Sequence, residues 1–311
     1  MLPFLCRAYD RSLVRLISPF VRPPKAGFSQ PDEVPASPDD LPDVPPLRFD
    51  LVHQQDDLWK FEVESPVASH WPESQMLRGR ALGPADAKSA LIVLHGACDN
   101  EYTYSRWMGA EFVKQGFRVL VPAAPAHLDR APKCFSGAPM FWSTRCTVAG
   151  MAQWLCEVRG LIGHLRAQGV QTIGLIGYSI GSLTAGLAAT IWPDLDFVCL
   201  LAPVGHHLKA LPVSGVARRF WPWMVNLPDD ELALFDRWSA LTRQPLGATP
   251  LFLMTLFDDL QPHSLQTNWW QAWSQPARHE YRHGHMSILF AKQLYPDLSA
   301  FAAKMHARST G

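Results

Sequence analysis

The chain has 311 residues, 48% of them apolar, which is enough to fill the core of one large α/β domain. Its 28 basic and 28 acidic residues cancel to a formal net charge of +0, so no global field draws it to nucleic acid. No apolar run reaches the roughly 18 residues that a spanning helix needs, and the six cysteines show neither a CxxC pair nor zinc spacing with histidine, a pattern that fits a reducing, cytoplasmic setting better than a disulfide framework.

Residues 1–22, MLPFLCRAYDRSLVRLISPFVR, read as a basic amphipathic helix. Arg7, Arg11 and Arg15 recur every four residues and stack on one face, while Leu5, Tyr9, Leu13, Leu16, Ile17 and Phe20 fill much of the rest. The arginines interrupt any signal-peptide core, and no small-residue cleavage site follows. Two readings stand: a peripheral membrane contact through residues 1–22, or docking on the body. Four arginines stand against Asp10 alone in this segment, which favours an anionic lipid surface in the first reading. Residues 23–48, rich in proline and acid, read as a flexible linker.

From residue 49 to 311 the pattern becomes regular. LWKFEVES, SALIVLHG and FRVLVPAAP read as strands, followed by a long helix that Gly169 closes. Then come strand TIGLIG, helix SLTAGLAATIW, strand FVCLLAP, an interruption over about 206–247, strand PLFLMTLF, helix HSLQTNWWQAWSQ, strand HEYR and a last helix beginning near Ser287. Continuously apolar strands alternating with helices predict an α/β fold, mostly parallel and covered on both faces. The interruption is read as a helical cap, and its Trp221 and Trp223 are candidate walls of an acyl pocket, with Trp107, Trp142, Trp269 and Trp270 as further candidates.

Gly177-Tyr178-Ser179-Ile180-Gly181 sits where TIGLIG meets the following helix. Glycines on both sides remove the side chains that would crowd so sharp a strand-to-helix turn, and the serine is left projecting from a strained position. The helix N-terminus behind it favours developing negative charge. Partners follow in the order Ser, Asp, His, each just after a strand: Asp258 and then His285. Asp258 comes first after its strand and lies four residues before Pro262, which makes Asp259 a solvated neighbour. His285 follows Gly284; His279 and His283 are rivals, but no nearby carboxylate or thiol completes a metal site with them, so neither metal nor cofactor is expected. The oxyanion donors are expected from Ile180 and from the turn after SALIVLHG, with Ala97 first and Cys98 second; Tyr178 and Cys98 complete the candidate substrate contacts.

The chain resembles the α/β-hydrolases from about residue 50 to its end. More narrowly, it is similar to an α/β-hydrolase-domain family long filed as a domain of unknown function. The short basic helix, FEVESPVASHWP, IGYSIGSLTAGLAATIWP and HGHMSILF carry the likeness. Ser182 departs from it, since the family tends to have a second glycine after the elbow; that change should alter packing more than chemistry. The resemblance implies a serine hydrolase acting on acyl esters or lipids. A thioesterase or acyltransferase with the same triad, and an idle scaffold of the same fold, are the alternatives. Dehalogenases and epoxide hydrolases need aspartate at the elbow, and polyester synthases cysteine, so Ser179 disfavours all three.

Overall fold

The computed structural model describes residues 3–24, 28–55, 58–97 and 102–310. Helix α1 (Pro3–Val21) comes first. The strands are β1 (Val52–Gln55), β2 (Leu58–Glu64), β3 (Met76–Leu82), β4 (Ser89–Leu94), β5 (Phe117–Pro122), β6 (Thr172–Tyr178), β7 (Phe197–Leu201), β8 (Thr249–Thr255) and β9 (Ala277–Tyr281). Between and after them lie α2 (Thr103–Val113), α3 (Thr144–Ala167), α4 (Ile180–Ile191), α5 (Gly215–Phe220), α6 (Asp229–Arg237), α7 (His263–Ala272) and α8 (Leu294–Thr310). The last helix begins later than its sequence pattern predicts, because a 3-10 turn, Ser287–Phe290, comes before it.

Among the described residues, the strands form one sheet in the order β1-β2-β3-β5-β4-β6-β7-β8-β9. β1, β2 and β3 are antiparallel, and β3 also runs against β5. From β5 to β9 every pairing is parallel. Side chains alternate across the pleat. On β4, Leu91 and Val93 join the cluster that holds Met108 and Phe112 of α2 and Leu298 of α8. Ala90, Ile92 and Leu94 join the opposite cluster, with Met151 of α3 and Leu183 of α4. Burial on both faces explains the unbroken apolar runs.

The chain leaves β4 for β5 on one side and returns to β6 on the other, so the strand order reverses at β4. In such sheets a crevice opens beyond the carboxyl ends of the strands on either side of the reversal. The turns after β4, β6, β8 and β9 all meet there.

The proline-rich stretch does not hang free as a tether. Arg145 Nη1 donates to the Asp32 carbonyl at 2.7 Å, Trp238 Nε1 to the Pro35 carbonyl at 3.1 Å and the Leu47 amide to the Gly160 carbonyl at 3.0 Å. Gly160 has no room for a side chain because Leu47 lies against it. Prolines leave backbone carbonyls without internal partners, and here arginine and tryptophan side chains of the body use them. Between β7 and β8, α5, α6 and short 3-10 turns occupy 206–247, with Phe235 and Trp238 fully buried.

Candidate active site

The elbow stands at the end of β6. Ser179 has φ 57° and ψ −120°, in the region that side-chain-bearing residues avoid. The Ser179 amide donates to the Leu201 carbonyl of β7 at 3.0 Å, which helps hold the turn. A Cβ on Gly177 would run into the Gly181 backbone, and one on Gly181 into the Leu94 carbonyl, so the strand and helix close up only with glycine at both places. Ser182 bridges outward: its hydroxyl donates to the Ser179 carbonyl at 2.5 Å and accepts the Val204 amide at 2.8 Å. Where the resemblance implied a glycine, this chain ties its elbow to the loop after β7.

Ser179 Oγ lies 2.7 Å from His285 Nε2, and His285 Nδ1 lies 2.7 Å from Asp258 Oδ2. His285 and Asp258 are buried. Asp258 Oδ1 accepts the Leu260 and Gln261 amides at 2.9 and 2.7 Å; Oδ2 also accepts Thr255 Oγ1 at 2.9 Å and Gln266 Nε2 at 3.3 Å. Burial alone would lower the His285 pKa. The charge and hydrogen bond of Asp258, with help from Asp10, overcome it and leave the pKa raised.

Asp259 is not the solvated neighbour expected. Its side chain is 18% exposed and pairs with Arg11 at 2.6 Å and Arg7 at 3.5 Å. The arginine stripe of α1 therefore meets a carboxylate beside the site. Cys6, Asp10, Val14, Ser18 and Val21 form the buried stripe of that helix. Asp10 is the residue that sequence reasoning missed. Its Oδ2 accepts the His285 amide at 2.5 Å and its Oδ1 the Met286 amide at 3.1 Å. The two segments lie 275 positions apart, and no local pattern links them.

Leu13, Val14 and Ile17 of α1 roof a narrow apolar cavity in front of Ser179. Ala97, Tyr178, Ile180 and His285 line it near the serine, and Phe141, Val204, Trp221 and Leu260 line it further out. Tyr178 also donates its hydroxyl to the His285 carbonyl at 3.0 Å. At the turn after β4, His95 Nε2 accepts the Ala124 amide at 2.9 Å, which fixes the backbone leading to Ala97. Cys98 lies outside the described residues.

Several expected wall residues stand elsewhere. Trp223 does not reach the cavity; its indole donates to the Phe141 carbonyl at 2.8 Å and props that wall from behind. Trp269 is buried against Phe252 and Trp273, Trp270 stacks with Arg278 at 3.8 Å, Trp142 meets Phe28, and Trp107 is 45% exposed. Large rings pack wherever the core has room, so composition alone does not assign them to a pocket. His279 pairs with Asp297 at 3.5 Å, and His283 is part-buried on the loop before His285. The described residues bring together no group of three side chains able to hold a metal ion.

A family model described as alpha/beta hydrolase domain containing 18 matches residues 50–224. No curated protein sequence matches the chain. Among solved structures, the Pyrococcus horikoshii acylaminoacyl peptidase is similar at TM-score 0.59 and 13% identity over 84% of this chain; the chain spans 42% of that protein. The acetyl xylan esterase 1 of Thermoanaerobacterium sp. is similar at TM-score 0.61 and 15% identity, covering 84% of this chain and 88% of the other. Est1E from Butyrivibrio proteoclasticus, with ferulic acid bound, is similar at TM-score 0.55 and 12% identity over 76% and 96% of the two chains. At such identities these likenesses speak for the fold.

Proposed function

The chain belongs to the alpha/beta hydrolase domain containing 18 family, and from that membership we propose that it is a serine hydrolase cleaving carboxylic esters of apolar acyl groups. One observation carries the reading: Ser179 Oγ, His285 and Asp258 form an unbroken 2.7 Å and 2.7 Å relay on a strained elbow facing an apolar cavity. The esterase likenesses support it at the level of fold.

In this mechanism His285 Nε2 takes the Ser179 proton as Oγ forms a bond to the acyl carbon. Asp258 accepts from Nδ1–H, fixing the tautomer and stabilising the imidazolium. The carbonyl oxygen becomes an oxyanion toward the Ala97 and Ile180 amides. Ile180 opens α4, where first-turn N–H groups have no intrahelical acceptor. His285 then gives its proton to the departing alkoxide. Water, deprotonated by the same histidine, attacks the acyl-enzyme and releases the acid. The acyl chain lies under Leu13, Val14 and Ile17, against Phe141 and Trp221.

Peripheral membrane contact belongs to the same proposal. Although α1 is docked, Leu5, Leu16 and Phe20 stay at least half exposed along it, and Phe4 is 77% exposed. Phe20 stacks on Phe135, and Tyr9 meets Phe290, itself 47% exposed, so the apolar strip continues onto the body. The helix thus has one face for the cavity and another for lipid, with Arg15 exposed between them.

Fluorophosphonate labelling followed by a chain-length series of nitrophenyl esters tests the enzyme reading. The wild type is expected to label and to prefer acyl chains longer than acetyl. Ser179→Ala is expected to lose the label and the turnover while keeping its melting temperature. Undiminished labelling of Ser179→Ala would overturn the assignment.

A further inference from the structure

The mechanism above leaves a buried carboxylate unused beside its base. Asp10 is 1% exposed and comes from α1, yet both of its oxygens are engaged by the loop that carries the histidine, through the His285 and Met286 amides. A side chain on Gly284 would run into that carboxylate, so the loop comes close enough only because residue 284 is glycine. From the other side, Tyr178 Oη donates to the His285 carbonyl at 3.0 Å. His285 is thus gripped at its amide, its carbonyl and its ring, and the amide grip alone comes from α1 rather than from a strand of the sheet or the turn that follows one.

We propose that Asp10 is a positioning residue for the base: its carboxylate clamps the His285 backbone and sets a second negative charge beside the imidazole, so α1 completes the active site as well as roofing it. Two carboxylates then flank one imidazole. Asp258 fixes its tautomer, and Asp10 fixes the height and tilt of its backbone and adds to the field that favours the imidazolium. Burying Asp10 in this corner, and placing it near Asp258, raises its pKa to about 6, while His285 and the two amides pull the other way. Carboxylates perturbed in this way cluster at functional sites. The other groups facing this corner are Asp259 with Arg7 and Arg11, Tyr9 and Tyr104 beside α1, Tyr178 beneath, and Arg282 and His283 on the histidine loop. None of the basic groups among them makes a described bond to Asp10, whose hydrogen bonds go to backbone amides.

The inference rests on the hydrolase reading, and the test keeps the two apart. Full-length wild type, Asp10→Asn and Asp10→Glu are compared in kcat, KM and the acid limb of kcat/KM with one nitrophenyl ester, with melting curves as the check on folding. Asp10→Asn removes the charge and sets an amide N–H against a backbone N–H. Asp10→Glu keeps the charge but presses an extra methylene toward Gly284. Both are expected to lose kcat by up to about 100-fold with KM little changed, as for a misplaced base. The acid limb should move to lower pH in Asp10→Asn and stay in place in Asp10→Glu, because only the first lightens the negative field on His285. In Asp10→Asn, a lowered melting temperature with the limb unmoved marks a purely structural contact, and that result overturns the proposal. Wild-type kcat in either folded variant overturns it too. If Asp10→Asn does not fold, a loss of kcat in folded Asp10→Glu with the limb unmoved supports the proposal. A wild type that neither labels nor turns over overturns the hydrolase reading, and this inference with it; an active wild type with indifferent variants overturns this inference alone.

Discussion

Asp258 turns its carboxylate inward, where two amides, Thr255 and Gln266 surround it, while Asp259, the next residue, turns outward to Arg7 and Arg11. The two substitutions Asp258→Asn and Asp259→Asn are therefore expected to differ sharply. In Asp258→Asn the Leu260 and Gln261 amides select the side-chain oxygen for the Oδ1 position, which leaves the NH2 facing His285 Nδ1. A donor there forces Nδ1 to accept and puts the ring proton on Nε2, which can then no longer take the Ser179 proton. A loss in kcat of roughly 10⁴-fold is expected. Asp259→Asn weakens two pairs whose arginines are about half exposed, and such pairs contribute within about 1 kcal/mol. Its kcat should stay near wild type. Ester kinetics on both variants check this, and equal losses would exchange the roles. The carboxylate that meets His285 could be picked from its place after the strand and the spacing to Pro262, so this contact was legible in the sequence. The bond from Asp10 was not, because it joins segments 275 positions apart.

At the scale of elements, α1 docks on the body, and its outer face is the one proposed for lipid. Cys6 donates to the Arg282 carbonyl, Asp10 accepts the His285 amide and Val14 lines the cavity, so removing the helix would strip the site of its roof and of a carboxylate. A truncated chain would then confound membrane binding with damage to the fold. Point substitutions on the outer face separate them. Leu16→Ser with Phe20→Ser is expected to weaken co-sedimentation with anionic vesicles while soluble-ester turnover stays near wild type. Arg15→Ala should lower binding by about 1 kcal/mol at low salt, and added salt should shrink that difference. Full binding by the double variant would reject the outer face as the contact. Among the elements, the continuously apolar strands and the elbow helix are readable because burial on both faces leaves no other pattern. β3 escapes because Arg78, Gly79 and Arg80 interrupt it; only its alternate residues, Leu77, Gly79 and Ala81, are buried. The arginines find use at the rim, Arg78 with Glu62 and Arg80 over the Tyr102 ring.

Over the whole molecule, stability should depend on pH through histidines buried in the neutral form. Burial, with the neighbouring His95, lowers the His127 pKa to about 3, and burial, with Lys209, lowers His206 to about 4 although Asp236 pulls it upward. In the unfolded chain both would take up a proton near their ordinary value of 6.5. Below that pH the unfolded state binds protons that the folded state refuses, so the stability these groups contribute is present above 6.5 and is lost as pH falls toward their folded values. Each contributes a loss of about 1.4 kcal/mol per pH unit, or about 4 kcal/mol for the two at pH 5. Asp10 acts in the opposite sense. Its folded pKa of about 6 exceeds the ordinary 3.8, so its contribution grows as pH falls from 6 and returns about 1.4 kcal/mol at pH 5. His285, also raised, contributes fully below 6.5 and adds no slope there. Two groups outweigh one, and the net loss is a large share of the roughly 5–15 kcal/mol that holds a domain together. The melting temperature is therefore expected to be highest near neutrality and to fall between pH 6.5 and 4.5. Asp10→Asn should steepen that fall by removing the group that opposes it. Differential scanning calorimetry across this range checks both, and a flat profile, or one that rises toward acid, would show that His127 and His206 do not remain neutral in the folded protein.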